Sequence, residues 1–188
     1  MKVQGISFRA RYLDEVKLRK INGAQVQECS ASLVELDLKS KADNVCIQDM
    51  IYDWGGSDSY TFHIARNMGQ VYYELNDNTS PIPRVFAITE QKDNFDKLNS
   101  KKILSIAETT DIKPTIVNID FIETHRAQAY GAKDPKYKYL GTALVNCIKS
   151  VFKGKALELY STDKALSFYL KNGFELMSSN FNKCIFRG

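Results

Sequence analysis

An α/β fold, with a mixed sheet covered by helices, is the class this sequence predicts, and three observations predict it. Segments of alternating polarity fill the first forty residues. Three further strand-like segments follow from Arg84, and the chain closes in the order strand, helix, strand, helix, strand, strand. Strands in a run and then in alternation with helices argue for one mixed sheet with helices packed on it. At 188 residues and 44% hydrophobic content the chain has the length for one domain with a sizeable core.

Residues 3–12 alternate through Ile6, Phe8, Ala10 and Tyr12, as in a half-buried strand. Glu15–Ile21 and Ala24–Glu28 flank Asn22-Gly23, a strong hairpin signal. Ser30–Leu38 reads as another strand, with Val34, Leu36 and Leu38 on one face. Asp43 can cap a helix with apolar positions Cys46, Ile47, Met50, Ile51 and Trp54, stopped by Gly55-Gly56. Ser57–Ser59 can cap a second helix through Tyr60, Ile64, Met68, Val71, Tyr72 and Leu75, with a strand over Val71–Leu75 as the competing reading. Asn78–Pro83 is a turn-rich break.

Strands are expected at Arg84–Glu90, Lys102–Thr109 and Thr115–Thr124, the last two joined by a tight turn at Asp111–Pro114. The stretch Pro135–Ala143 (PKYKYLGTA) then leads into a helix whose apolar residues Leu144, Val145, Ile148, Val151 and Phe152 keep a helical period. Strand Ala156–Tyr160, helix Lys164–Asn172, and strands near Phe174–Ser178 and Lys183–Phe186 complete the order, with Asn172-Gly173 as a helix stop.

The net charge of +4 is too small to argue for nucleic acid, although Lys133, Lys136, Lys138, Lys149, Lys153 and Lys155 cluster along the chain. No run reaches the ~18 apolar residues of a membrane span, and the first residues lack the apolar core of an export signal. A cytoplasmic protein with reduced thiols is expected. Cys29, Cys46, Cys147 and Cys184 are far apart, and with only His63 and His125 to add they make no metal-ligand pattern.

The Pro135–Ala143 stretch carries the chemistry. Gly141 and Ala143 are small where bulk would block a ligand, the first helical amides lack carbonyl partners, and the helix dipole favours an anion there. Lys136 and Lys138 add positive charge. A diphosphate cradle fits these residues, as does close packing. A second stretch, Ala165–Phe174 (ALSFYLKNGF), changes the weighing. Together the two resemble the GNAT superfamily of acetyl-coenzyme A-dependent N-acetyltransferases. Lys138-x-x-Gly141-x-Ala143 falls on that family's Arg/Gln-x-x-Gly-x-Gly/Ala loop, with Lys in the first position. Ala165, Tyr169, Lys171, Gly173 and Phe174 fall on its A-x-x-x-Y-x-K-x-G-F segment.

The resemblance covers the chain from about Val85 onward. It implies a mostly antiparallel sheet splayed at the cofactor site, with residues 84–188 as the cofactor-binding core and 1–40 as a β-rich N-terminal extension. It implies acetyl-CoA on Lys136, Lys138, Tyr139, Leu140, Gly141, Thr142 and Ala143, with the pantetheine arm along Phe121 and Ile122 and beside Thr162 and Phe168. Two helices before the break would line one wall of the acceptor cleft, where Tyr60, His63, Tyr72 or Tyr73 can touch a substrate. Thr162 stands where the family usually has Asn, and residues 125–134 (HRAQAYGAKD) form an insertion.

Transfer to an amine needs its nitrogen neutral. At pH 7 that costs roughly 4.6 kcal/mol for a lysine-like amine and about 1 kcal/mol for an α-amine. Glu123 is the favoured base, with Asp120, His125 or a water as alternatives; Asp120 and Glu123 share a face only if a bulge intervenes. Tyr169 falls on the family's general-acid tyrosine, able to serve a departing thiolate. An inactive CoA-binding or interaction module is the competing reading. The acceptor amine is left open, nucleic acid is not expected, and a homodimer is compatible with the sequence.

Overall fold

The computed structural model describes residues 9–75, 81–129, 131–178 and 181–188. The expected strand at 3–12 falls largely outside these residues, as does much of the break at 78–83. The elements are β1 (Arg11–Asn22), β2 (Gln25–Leu36), α1 (Lys41–Trp54), α2 (Tyr60–Tyr72), β3 (Arg84–Thr89), β4 (Ile103–Lys113), β5 (Ile116–Thr124), β6 (Tyr137–Lys138), α3 (Leu140–Val151), β7 (Ala156–Tyr160), α4 (Asp163–Lys171), β8 (Glu175–Ser178) and β9 (Lys183–Arg187). The strands form one nine-stranded sheet in the order β6-β1-β2-β3-β4-β5-β7-β9-β8. All neighbours are antiparallel except β5 and β7. The expected mixed, mostly antiparallel sheet is therefore present.

Helices cover both faces. On one, Leu144, Val145 and Ile148 of α3 and Tyr169 of α4 pack with Phe86, Val117 and Leu157. On the other, Ile47, Met50 and Trp54 of α1 and Ile64 and Met68 of α2 pack with Val34, Val85 and Ile106. A sheet buried on both faces explains why β3 and β4 read as near-continuous apolar runs rather than alternating ones.

Several boundaries differ from the sequence reading, each for a local reason. The two expected strands from Ala24 to Leu38 are one, because β2 pairs along its whole length, first with β1 and then with β3. Asn22 pairs with Gln25, so the turn is Gly23-Ala24, with Gly23 at φ 59°. Ser40 rather than Asp43 caps α1: it is extended, and its Oγ accepts from the Asp43 amide at 3.2 Å, while Asp43 Oδ2 accepts from the Asp37 amide at 2.9 Å. Residues 60–72 are helical, capped by Ser59, so the competing strand over Val71–Leu75 does not form. β4 runs on to Lys113, pairing with Ile116, so the turn there is confined to Pro114-Thr115. Tyr137-Lys138, read as loop, is a short edge strand on β1.

Candidate active site

β5 and β7 pair only through Ile116–Asn118 with Ala156–Glu158. Beyond Asn118 the two strands part, and a cleft of about 900 Å³ opens between them. Ile119–Thr124 form one wall, Leu159–Thr162 with Ala165, Phe168 and Tyr169 the other, and Lys138–Thr142 the end at α3. The insertion supplies a further side through Gln128, Ala129 and Gly131; its Tyr130 lies outside the described residues. Gln128 Oε1 pins it by accepting from the amides of Lys136 at 2.6 Å and Tyr137 at 3.0 Å.

The start of α3 faces this cleft without a side-chain cap. Its N-cap is Tyr139, in the left-handed region at φ 60°, and the first intrahelical bond runs from the Ala143 amide to the Tyr139 carbonyl at 2.9 Å. The amides of Leu140, Gly141 and Thr142 therefore have no carbonyl partner within the helix, and these three residues line the end of the cleft. Lys138 is exposed beside them. Gly141 has a reason to be glycine: a Cβ there would stand 3.2 Å from Phe168 Cζ and 3.8 Å from Thr124 Oγ1. The ring of Phe168 lies over the helix start, so close packing and an approachable backbone coincide.

Of the residues expected at the cofactor, Phe121, Ile122, Lys138, Tyr139, Leu140, Gly141, Thr142, Thr162 and Phe168 line the cleft. Lys136 and Ala143 do not. Pairing of β6 with β1 turns Lys136 toward β3, where its Nζ sits 2.5 Å from Glu90 Oε1, an atom that also accepts from the Tyr137 hydroxyl. Burial alone would raise the Glu90 pKa, but these two donors outweigh it and hold the carboxyl below its ordinary value. Ala143 faces the core under α3. The lysine cluster is largely dispersed too: Lys155 pairs with Asp111 at 2.6 Å, and Lys149 lies over the Phe186 ring at 3.8 Å.

The face of β5 toward α2 depends on a bulge. Glu108 pairs with Phe121 and Thr109 with Ile119, leaving Asp120 as the extra residue. Asp120 bonds Thr110 and Asn118, Phe121 stacks on His63 and tilts against Tyr60, and Glu123 bonds α2. Asp120 and Glu123 thus share one side, as the sequence allowed only with a bulge. Glu123 fastens two elements together, since its Oε2 accepts from Ser59 Oγ, the Thr61 amide and Thr61 Oγ1, each at 2.8 Å. That oxygen has no lone pair to spare, and Oε1 is what remains for chemistry.

Asp120 lines the cleft with both oxygens bonded, Oδ2 to Thr110 Oγ1 at 2.7 Å and Oδ1 to Asn118 Nδ2 at 2.5 Å. Burial pushes its pKa above the ordinary carboxylate value, against those bonds. His125 is outside the cleft, edge-on to Trp54 with Nδ1 accepting from the Ala127 amide. Tyr169 is 8% exposed, lines the cleft, and is packed by Phe168 and Phe174. Burial first, and then the nearby Tyr60 and Cys184, push the Tyr169 phenol up. Tyr60 also lines the cleft, whereas Tyr72 and Tyr73 pack on one another at the end of α2.

Sequence reasoning missed Glu108, the only charge in the apolar run of β4 before Thr109, and that isolation was the available signal. It also missed Gln128, which no motif marks. Among the described residues no group of three or more His, Cys, Asp or Glu side chains can hold a metal, and no helix is long and apolar enough to cross a membrane. The four cysteines are unpaired.

No family model matches the chain, and no curated protein does. Solved structures do. A Lactobacillus plantarum protein assigned as an N-acetyltransferase is 11% identical, with a TM-score of 0.52 over 82% of this chain and 94% of that one. AtaTR bound with acetyl-CoA is 17% identical, with a TM-score of 0.51 over 74% of this chain and 85% of that one. The fold is therefore that of the GNAT acetyltransferases. AtaT complexed with acetyl-methionyl-tRNAfMet matches more faintly, at 15% identity and a TM-score of 0.45 over 70% of this chain and 83% of that one. Likeness that weak argues nothing about nucleic acid here, so the expectation against a nucleic-acid partner gains no support.

Proposed function

We propose that this chain is an N-acetyltransferase that moves an acetyl group from acetyl-CoA to a primary amine. One observation carries the reading: β5 and β7 part at the point where the uncapped start of α3 and the Tyr169 side chain face the same cleft. An acetyl-CoA complex among structures of this fold supports the coenzyme. The residues present suit it. The Leu140–Thr142 amides and Lys138 match a pyrophosphate, and the unpartnered edge of β5 past Asn118 matches an extended arm that hydrogen-bonds like an added strand. Residues 84–188 hold every such group, which makes them the cofactor-binding core, and the β1–β2 hairpin braces them through β6.

Acetyl-CoA supplies an activated thioester. The new carbon–nitrogen bond forms as the carbon–sulfur bond breaks, so one proton must leave the nitrogen and the departing sulfur must be stabilised. Asp120 suits the proton transfer, since burial raises its basicity toward neutral pH and it lines the cleft. Glu123 contributes through Oε1 and by fastening α2 to β5. Tyr169 suits the sulfur. Its phenol, held above ~10, does not yield its proton outright to a thiolate whose conjugate acid lies near ~8.5, so it acts as a hydrogen-bond donor to the developing charge.

The test is purified protein with acetyl-CoA and a panel of amines, following free thiol release. Amine-dependent thiol release that Tyr169→Phe slows about 10²–10³-fold supports the reading. Coenzyme binding with no turnover for any amine, indifferent to Tyr169→Phe, identifies the inactive module instead. No calorimetric signal with millimolar acetyl-CoA or CoA defeats both.

A further inference from the structure

Behind Phe121, on the α2 side of β5, lies a second cavity of about 390 Å³. It joins the main cleft at Ile119, Asp120, Phe121 and Tyr160, which line both. Its polar lining comes from Asn67 and Gln70 of α2, Glu108 and Thr110 of β4, and Asn118 and Asp120 of β5. Among the described residues no lysine, arginine or histidine lines it. Glu108 is 2% exposed; its Oε1 accepts from Asn67 Nδ2 at 2.7 Å, and its Oε2 has no partner among the described residues.

That arrangement is costly for the free protein. A buried carboxylate is normally paired with a cation or fully hydrogen-bonded, and leaving one oxygen bare forfeits the hydration of a charged group with nothing to replace it. A second carboxylate, Asp120, faces the same space and makes the local field more negative still. A pocket with two carboxylates, amide and hydroxyl neighbours and no cation among the described residues is complementary to a cation brought by the ligand. An alkylammonium has three donors and matches Glu108 Oε2 and the neighbouring Asn118 and Thr110 oxygens.

Resting on the acetyl-transfer reading above, we propose that this cavity is a specificity subsite for a short aliphatic diamine. The reacting nitrogen lies at the Asp120 junction with the main cleft, and the second ammonium is held at Glu108 Oε2. The apolar link between the two nitrogens passes Phe121, whose ring is stacked on His63 at 5.3 Å between centroids.

Calorimetry of 1,4-diaminobutane against 1-aminobutane tests this, on the free protein and on protein saturated with CoA. The diamine is expected to bind at least tenfold more tightly, and Glu108→Gln to abolish that preference while CoA affinity reports an intact fold. Equal affinity for the two amines overturns the proposal, and that comparison needs no variant. A diamine preference that survives in Glu108→Gln overturns it as well. Because diamine binding to the free protein does not depend on coenzyme, a failure of acetyl transfer is read separately. Conversely, transfer to other amines with no diamine preference removes the subsite and leaves the transferase.

Discussion

The two sides of β5 are built on opposite electrostatic plans. Toward α3 and α4 the cleft offers backbone amides, an exposed lysine and apolar rings, and among the described residues no carboxylate of that wall lines it. Toward α2 the lining is carboxylate and amide, with Glu108 pushed up to about 7 by burial first, and then by the charge of Asp120 against the bond from Asn67. One strand therefore separates a place for a polyanion from a place for a cation, and the bulge at Asp120 is where the two meet. What the contrast teaches is economy of means. The anion side needs no ionised side chain to be buried, because helix amides are already polarised and need no partner removed. The cation side can be made only by burying acids and leaving them short of partners.

The largest expected effect breaks the contrast at the sulfur. Tyr169→Phe removes the hydroxyl donor held in the packing of Phe168 and Phe174, and kcat should fall about 10²–10³-fold, the scale of losing one donor to a developing anion. Single-turnover kinetics with saturating acetyl-CoA would measure it. An unchanged rate would put the departing sulfur elsewhere than beside α4. Next is Glu123, which separates structure from chemistry on the α2 side. Glu123→Ala strips three donors of a charged acceptor, and a stability loss of about 2–3 kcal/mol is expected. At roughly 2–4 °C per kcal/mol for a chain of this size, thermal melting would show it as a clear drop in Tm. A variant as stable as the parent but slower in transfer would make Glu123 the proton acceptor and not the anchor of α2.

How much of this was legible in the sequence follows from how each side is assembled. The anion side lies in contiguous stretches, 138–142 and 165–169, so short motifs expose it. The two departures have separate causes. Ala143 lies on the side of α3 that packs against the core. Lys136 follows from a pairing no motif states, in which Tyr137-Lys138 add to the sheet beside β1, more than a hundred residues away in sequence, and aim Lys136 at Glu90. The acidic side draws one or two residues each from α2, β4 and β5, so only the register of β4 on β5 brings Asn67, Glu108 and Asp120 together. Alternation foretold that Asp120 and Glu123 needed a bulge to share a face, but it had no means of placing that bulge. The overall order of strands and helices was readable because amphipathic periods and caps are local, whereas the merging of two expected strands into β2 is a product of partners on either side.

A smaller effect tests the anion side. Gly141→Val places a branched side chain where a Cβ already meets the Phe168 ring at 3.2–3.3 Å, so the ring must turn into the cleft. Affinity for CoA should fall about tenfold, roughly 1.4 kcal/mol, by calorimetry. Phe168→Ala in the same chain should recover part of the loss, because space is returned to the same spot. If the double variant binds no better than Gly141→Val alone, the amides themselves, rather than the ring, are what the side chain obstructs.

The smallest effect concerns proton linkage on the acidic side. The folded protein holds the Glu108 proton up to about pH 7, whereas the unfolded chain releases it near the ordinary value of 4.5. Between those values the native state binds more protons than the unfolded state, so stability is greatest below 4.5 and declines as pH rises toward 7. The slope due to one such group is at most about 1.4 kcal/mol per pH unit, and Asp120, raised in the same direction, adds its own. Denaturant unfolding of the parent across this range should show the decline. Glu108→Gln, which keeps the acceptor for Asn67 but cannot ionise, should flatten it by up to one proton's worth. Saturating 1,4-diaminobutane should flatten it by a different route, since an ammonium at Oε2 favours the ionised carboxylate and brings the native glutamate closer to the unfolded one. If the diamine leaves the slope of the parent untouched while Glu108→Gln removes it, the buried acid is real but its cation is not a diamine.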